Sequence, residues 1–118
     1  WQLSICSFRW TRRFCYFYLG HEVSKFVESK FIEKLLQLSS YKSGNYVNAL
    51  NDAFKLMDEL IVSEPGAKEL NEKRGVQHES VSSHTGCTAN VILMTPKKYI
   101  IANAGDSRSV LCRSGRAI

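Results

Sequence analysis

Long hydrophobic runs are missing from this sequence. None approaches the roughly 20 apolar residues a membrane-spanning helix needs, which excludes an integral membrane protein of that kind. Cysteine is sparse, four in 118 residues and none in a CxxC pair. That excludes a disulfide-stapled mini-scaffold and a cysteine-rich zinc module. The histidines, His21, His78 and His84, have no metal-ligand spacing and read as solvated or hydrogen-bonded side chains. No run rich in lysine and arginine marks a dedicated nucleic-acid patch. Acids are absent from residues 1–20, and from 87 to 118 Asp106 is the only one.

What remains is an ordinary globular composition, 44% hydrophobic and 23% charged, in a 13.4 kDa chain long enough for one domain and too short for two. The net charge of +5 is unevenly spread: +3 over residues 1–20, −2 over 21–65, zero over 66–86 and +4 over 87–118. These bases are scattered, as on a solvated surface; a phosphate-bearing ligand is the alternative they leave open. The chain starts on Trp1 and stops at Ile118 inside an apolar pattern, so it is expected to be a fragment.

Residues 1–19 differ in character from the rest. Residues 1–20 hold seven of the thirteen aromatics, with Arg9, Arg12 and Arg13 interrupting any signal-like apolar stretch. The segment as a whole has no clean period of 2 or 3.6, so no element is placed there. A basic-aromatic binding segment, an unusual strand and sequence foreign to the domain are the three explanations, the last being favoured.

From His21 onward the pattern is regular. Val23, Phe26, Val27, Phe31, Leu35 and Leu38 recur at helical spacing, with Ile32 and Leu36 widening the stripe and Glu22, Glu28 and Glu33 among lysines on the polar positions. After the turn residues Tyr41 to Asn45, with Asn45 as a candidate cap, Val47, Leu50, Ala53, Phe54, Met57, Leu60 and Ile61 form a second stripe that Pro65-Gly66 should close. AKELNEKR (67–74) is partly helical in character. CTANVILM (87–94), YIIANA (99–104) and RSVLCR (108–113) then read as strands of an antiparallel meander, with turns at Thr95 to Lys98 and Gly105-Asp106. Two amphipathic helices followed by a β-meander make the fold class α+β.

Few residues offer chemistry. Cys87 and Cys112 read as small buried hydrophobes in strands, without the neighbouring cations that would activate a thiolate. Asp106 follows Gly105 at a strand end. That is ordinary turn chemistry, and equally a place from which a carboxylate reaches a hard cation.

Two stretches carry a resemblance. His84-Thr85-Gly86-Cys87-Thr88-Ala89, followed by Ile101-Ala102-Asn103-Ala104-Gly105-Asp106-Ser107-Arg108-Ser109-Val110-Leu111-Cys112-Arg113, resembles the metal-dependent serine/threonine protein phosphatases of type 2C, the PPM-type phosphatases. Gly20-His21-Glu22-Val23-Ser24-Lys25-Phe26 is similar to that family's first helix just after its Asp-Gly-His-Gly-Gly motif. The resemblance covers about residues 20–118, an N-terminal portion of the domain. It implies an α-β-β-α sandwich in which Mg²⁺ or Mn²⁺ activates a water that hydrolyses phosphoserine or phosphothreonine. A phosphorylated protein is then the implied substrate, and Asp106 the implied metal-site residue, beside an additional, weaker metal position. No other metal-binding, catalytic or cofactor-binding residue is carried over.

Where the motif should stand, this chain has Tyr16, Phe17, Tyr18 and Leu19 before Gly20. Tyr16 takes the place of a bridging aspartate, and a neutral phenol with a pKa near 10 does not replace a carboxylate at neutral pH. A frame shift or wrong splice boundary just before Gly20 accounts for both the lost motif and the unusual composition. The isolated chain is therefore expected to be inactive, and whether it counts as an enzyme is left open. A non-catalytic, pseudophosphatase-like binding module is the alternative; nucleic-acid binding through residues 1–20 is a weaker one. Val91, Leu93, Ile101 and Leu111 are expected to lack covering partners, each forfeiting about 1.5–3 kcal/mol, which makes for low solubility or loose packing. Without a targeting signal, cytoplasm or nucleus is the expected location.

Overall fold

Residues 2–7, 21–74 and 86–118 are described by the computed structural model. Tyr16, Tyr18, Cys15, His78 and His84 lie outside the described residues.

Helix α1 (His21–Gln37) takes shape from its apolar stripe. Val23, Phe26, Val27, Phe31 and Leu35 are all at most 4% exposed. Ile32 and Leu36 do not widen that stripe; they are 40% and 46% exposed. Each sits about 100° further round the helix than Phe31 or Leu35, and the core covers only one side. A short helix α2 (Ser39–Lys42) and a turn through Gly44 follow. Asn45 then caps α3 (Tyr46–Val62) as expected, its side chain accepting from the Asn48 N–H at 3.4 Å. Ala49, Leu50, Ala53 and Met57 are buried, whereas Val47, one turn from the cap, is 55% exposed and leaves the predicted stripe.

Pro65-Gly66 does not end this second helical region with a loop. The break is a single extended residue, Ser63, and α4 (Glu64–Arg74) starts at once. Proline is tolerated in a first helical turn, where no intrahelical partner awaits its missing N–H. The Ser63 hydroxyl accepts from the Gly66 N–H at 3.3 Å and donates to the Leu60 carbonyl at 2.7 Å, tying the two helices at their junction. A Cβ on Gly66 would run into that same Leu60 carbonyl. Gly66→Ala is accordingly expected to lower stability by about 1–3 kcal/mol, read as a fall in urea midpoint. Gly86→Ala, where a Cβ meets nothing within 4 Å, is the matched control and should change little.

Strand β2 (Ala89–Met94) is the centre of a three-stranded antiparallel sheet, between β1 (Gln2–Ser7) and β3 (Tyr99–Ala104). β1 lies in the segment for which a strand is one of the three explanations, though not the favoured one. Its register sets Leu3 opposite Leu93 and Ile5 opposite Val91, with an irregularity between Ile5 and Ser7. On the other side Val91 pairs with Ala102 and Leu93 with Ile100, and this face packs against α1, α3 and α4 in one core. Val91 and Leu93 are thus fully covered, contrary to expectation, while Ile101 and Leu111 stay 55% and 42% exposed. The pleat explains the split for the first three, because Ile101 points away from the helices.

The predicted third meander strand does not form over 108–113. The chain leaves the sheet after β3, and only β4 (Cys112–Arg113) pairs, with β5 (Arg116–Ala117), as a separate hairpin. Ser114 and Gly115, both at positive φ, make its turn. Cys112 is exposed there instead of buried, since a two-residue strand outside the main sheet has no core to face. The molecule is α+β, with helices on one face of an antiparallel sheet.

Candidate functional site

The turn after β3 carries Asp106, and Thr88, just ahead of β2, and Asn90 within it hold that turn from both sides. Gly105 has φ +101°, a conformation side-chain-bearing residues rarely adopt. It also lies hard against Thr88: a Cβ at this position would sit 2.5 Å from the threonine methyl carbon. The Thr88 hydroxyl in turn lies 2.9 Å from that of Ser107. One side chain, 5% exposed, therefore touches the residue before Asp106 and hydrogen-bonds the residue after it.

A second set of bonds starts two residues along β2. The Ser109 hydroxyl donates to the side-chain amide oxygen, Oδ1, of Asn90. The Asn90 amide donates to Asn103 at 2.8 Å, and the Asn103 amide donates to the Gly105 carbonyl at 2.9 Å. Thr88 to Ser107 and Asn90 to Ser109 span the same sequence separation, 19 residues. Segment 107–109 therefore runs in the same direction as β2, with its serines bonded to side chains of Thr88 and Asn90, and does not pair beside β3 in the sheet. From sequence alone no individual role falls to Thr88, Asn90, Asn103, Ser107 or Ser109. The available signal was a polar Asn90 heading the apolar run Val91 to Met94, two residues from Thr88 and so on the same strand face.

Asp106 itself is exposed at the tip. Among the described residues no group of three or more His, Cys, Asp or Glu comes together around it or elsewhere. A Mg²⁺ or Mn²⁺ ion takes about six oxygen ligands, so the described residues do not fit a metal centre. Glu22, expected on a solvated face, keeps one carboxylate oxygen buried without a hydrogen-bond partner, in the first turn of α1 where the helix N–H groups favour negative charge.

Cys87 is half-buried just ahead of β2. Burial pushes its thiol up from about 9.0 to about 11, and the Asp58 carboxylate adds to the rise. At pH 8 only about one thiol in a thousand is then the nucleophilic thiolate. Brief alkylation at that pH should modify exposed Cys112 and spare Cys87; peptide mapping that found Cys87 labelled as fast would contradict this.

Known proteins match most of this chain. The family model described as Protein phosphatase 2C matches residues 13–118, a stretch that includes all of the helices, β2 through β5 and positions 16–19. "Probable protein phosphatase 2C 3" of Paramecium tetraurelia is 46% identical over 95 residues, 80% of this chain and 31% of that protein. "Protein phosphatase 2C 1" of the same organism is 44% identical over a stretch of equal length. "Protein phosphatase 2C homolog 2" of Saccharomyces cerevisiae is 33% identical over 100 residues, 83% of this chain and 19% of its own length. The chain spans about a third of the Paramecium relatives it matches. It belongs to the protein phosphatase 2C family.

Proposed function

We propose that residues 20–118 form part of a phosphatase domain that removes phosphate from serine or threonine of phosphorylated proteins, and that Asp106 is a carboxylate this part contributes to a Mg²⁺ or Mn²⁺ centre. The observation that carries this is the double hold of Thr88 and Asn90 on the Asp106 turn: two independent sets of bonds fix an exposed carboxylate that has no structural partner of its own among the described residues. Structure of that kind is what a ligand-binding carboxylate requires, since its geometry must be set before the ligand arrives. One carboxylate does not make the centre. The isolated chain is accordingly inactive in this reading, and no hydrolytic step is assigned to it. A cytoplasmic or nuclear setting is part of the same proposal; among the described residues no helix is long and apolar enough to cross a membrane.

The test is direct. The 118-residue chain with Mn²⁺ should release no phosphate from a phosphothreonine peptide. Mn²⁺-dependent release abolished by Asp106→Ala would overturn the assignment of inactivity. The lone, well-supported carboxylate also favours a second reading, a binding module that keeps the framework without the chemistry. Its mark is phosphopeptide binding that persists in a chelator. Residues 1–19 are assigned to a shifted frame or misplaced splice boundary, on their acid-free, aromatic-rich composition. Sequencing the transcript should then reveal another frame encoding Asp-Gly-His-Gly before Gly20. A transcript that encodes Tyr16-Phe17-Tyr18-Leu19 in frame throughout would refute it.

A further inference from the structure

We infer that Asn90 is the positioning residue of the Asp106 turn. The inference rests on Asp106 being the functional carboxylate, as proposed above. Asn90 is 1% exposed although it lies on the sheet face away from the helices, where Ile92 and Ile101 are less covered. Segment 107–109 covers it. A buried amide must have its donors and acceptors met, and an unmet one is costly. Here both ends of the Asn90 amide are used, and both lead to Asp106. Its oxygen accepts from Ser109, three residues after Asp106; its nitrogen donates to Asn103, which donates to the carbonyl of Gly105, the residue just before. The three bonds point the same way, hydroxyl to amide to amide to carbonyl, so each polarises the next. No apolar residue at position 90 reproduces this, because neither Ser109 nor Asn103 would keep its partner.

An ordinary buried asparagine would stabilise the fold generally. Asn90 instead joins the two sides of a single turn, so its loss should loosen that turn more than the core. The experiment uses the ¹⁵N-labelled 118-residue chain, first metal-free, in wild type, Asn90→Leu and Ser109→Ala. Backbone order parameters of Gly105, Asp106 and Ser107 are expected to fall in both variants from the rigid range near 0.85 to below about 0.6. Leu35, Leu50 and Met57, in the helical core, should stay rigid. Order retained at the turn in both variants overturns the inference, whatever happens to the melting temperature. Should Asn90→Leu not fold, Ser109→Ala decides alone, since it removes only the hydroxyl at the far end of the relay from a half-exposed site. Mn²⁺ is then added to each sample. Selective broadening of the Asp106 amide in wild type, shifted to higher Mn²⁺ concentration in both variants, supports both the metal role of Asp106 and its control by Asn90. Loss of order in the variants with no Mn²⁺ broadening in wild type means that Asn90 positions the turn while the metal reading of Asp106 fails.

Discussion

Phe31→Ala should remove a fifth or more of the stability of this molecule. Phe31 is fully buried in the middle of α1, its ring packed at 5.5 Å and tilted 47° against that of Phe54 on α3. It belongs to the cluster that also contains Leu70 of α4 and Val91 and Leu93 of β2, so every layer of the fold meets around it. Truncating a buried phenylalanine costs about 3–5 kcal/mol, from lost transfer energy and from the cavity left behind. A domain of this size is stable by about 5–15 kcal/mol in total. The urea midpoint should drop accordingly, with the denaturant slope unchanged. Ile32→Ala, one residue along and 40% exposed, should cost well under half as much. Equal losses for the two would mean that the helix does not present the face described.

Gly105→Ala is the corresponding test at the site. Two penalties act together. The backbone at φ +101° strains any residue with a Cβ, by about 1–2 kcal/mol, and the new methyl overlaps the Thr88 methyl carbon at 2.5 Å. Overpacking of that sort adds about 1–3 kcal/mol. The turn must therefore move, and Asp106 with it. The two penalties can be separated, because Thr88→Ser deletes the methyl and keeps the hydroxyl that bonds Ser107. The double variant Gly105→Ala/Thr88→Ser should recover part of the overlap loss, since serine keeps the Cβ at 2.9 Å, and retain the backbone part, giving a favourable coupling in a double-mutant cycle. Strict additivity would show that Thr88 does not hold Gly105.

The helical layer was largely legible in the sequence because its signal is local. Five of the α1 positions chosen by periodicity are the buried ones, and Asn45 caps α3 as its side chain dictates. Errors came where a stripe's width had to be judged: Ile32, Leu36 and Val47 are apolar but lie beyond the side that the sheet and neighbouring helices cover. The Pro65-Gly66 break was misread because proline at a helix start and proline after a helix end give the same sequence pattern. β1 was missed for another reason. Gln2-Leu3-Ser4-Ile5 does alternate with period 2, but over only four residues before the aromatic-rich stretch obscures it.

The turn that carries Asp106 was legible, and what holds it was not. Thr88 to Ser107 and Asn90 to Ser109 are contacts between residues far apart in sequence, made where the chain returns to Thr88 and Asn90. A propensity reading of RSVLCR sees a strand, since Val110, Leu111 and Cys112 favour one, and has no means of seeing that side-chain bonds draw the segment out of the sheet. Local preference was overridden by tertiary pairing.

The most direct measurement exchanges the matched stretch of Paramecium protein phosphatase 2C 1 for residues 20–118 of this chain, keeping that relative's own residues upstream of the Gly20 position and beyond Ile118. The chimera is assayed for Mn²⁺-dependent phosphate release from a phosphothreonine peptide. If this chain carries a working portion of the domain, the chimera hydrolyses the peptide at a rate comparable to the intact relative, and Asp106→Ala removes most of that rate. A folded chimera without activity, or one indifferent to Asp106→Ala, would contradict it.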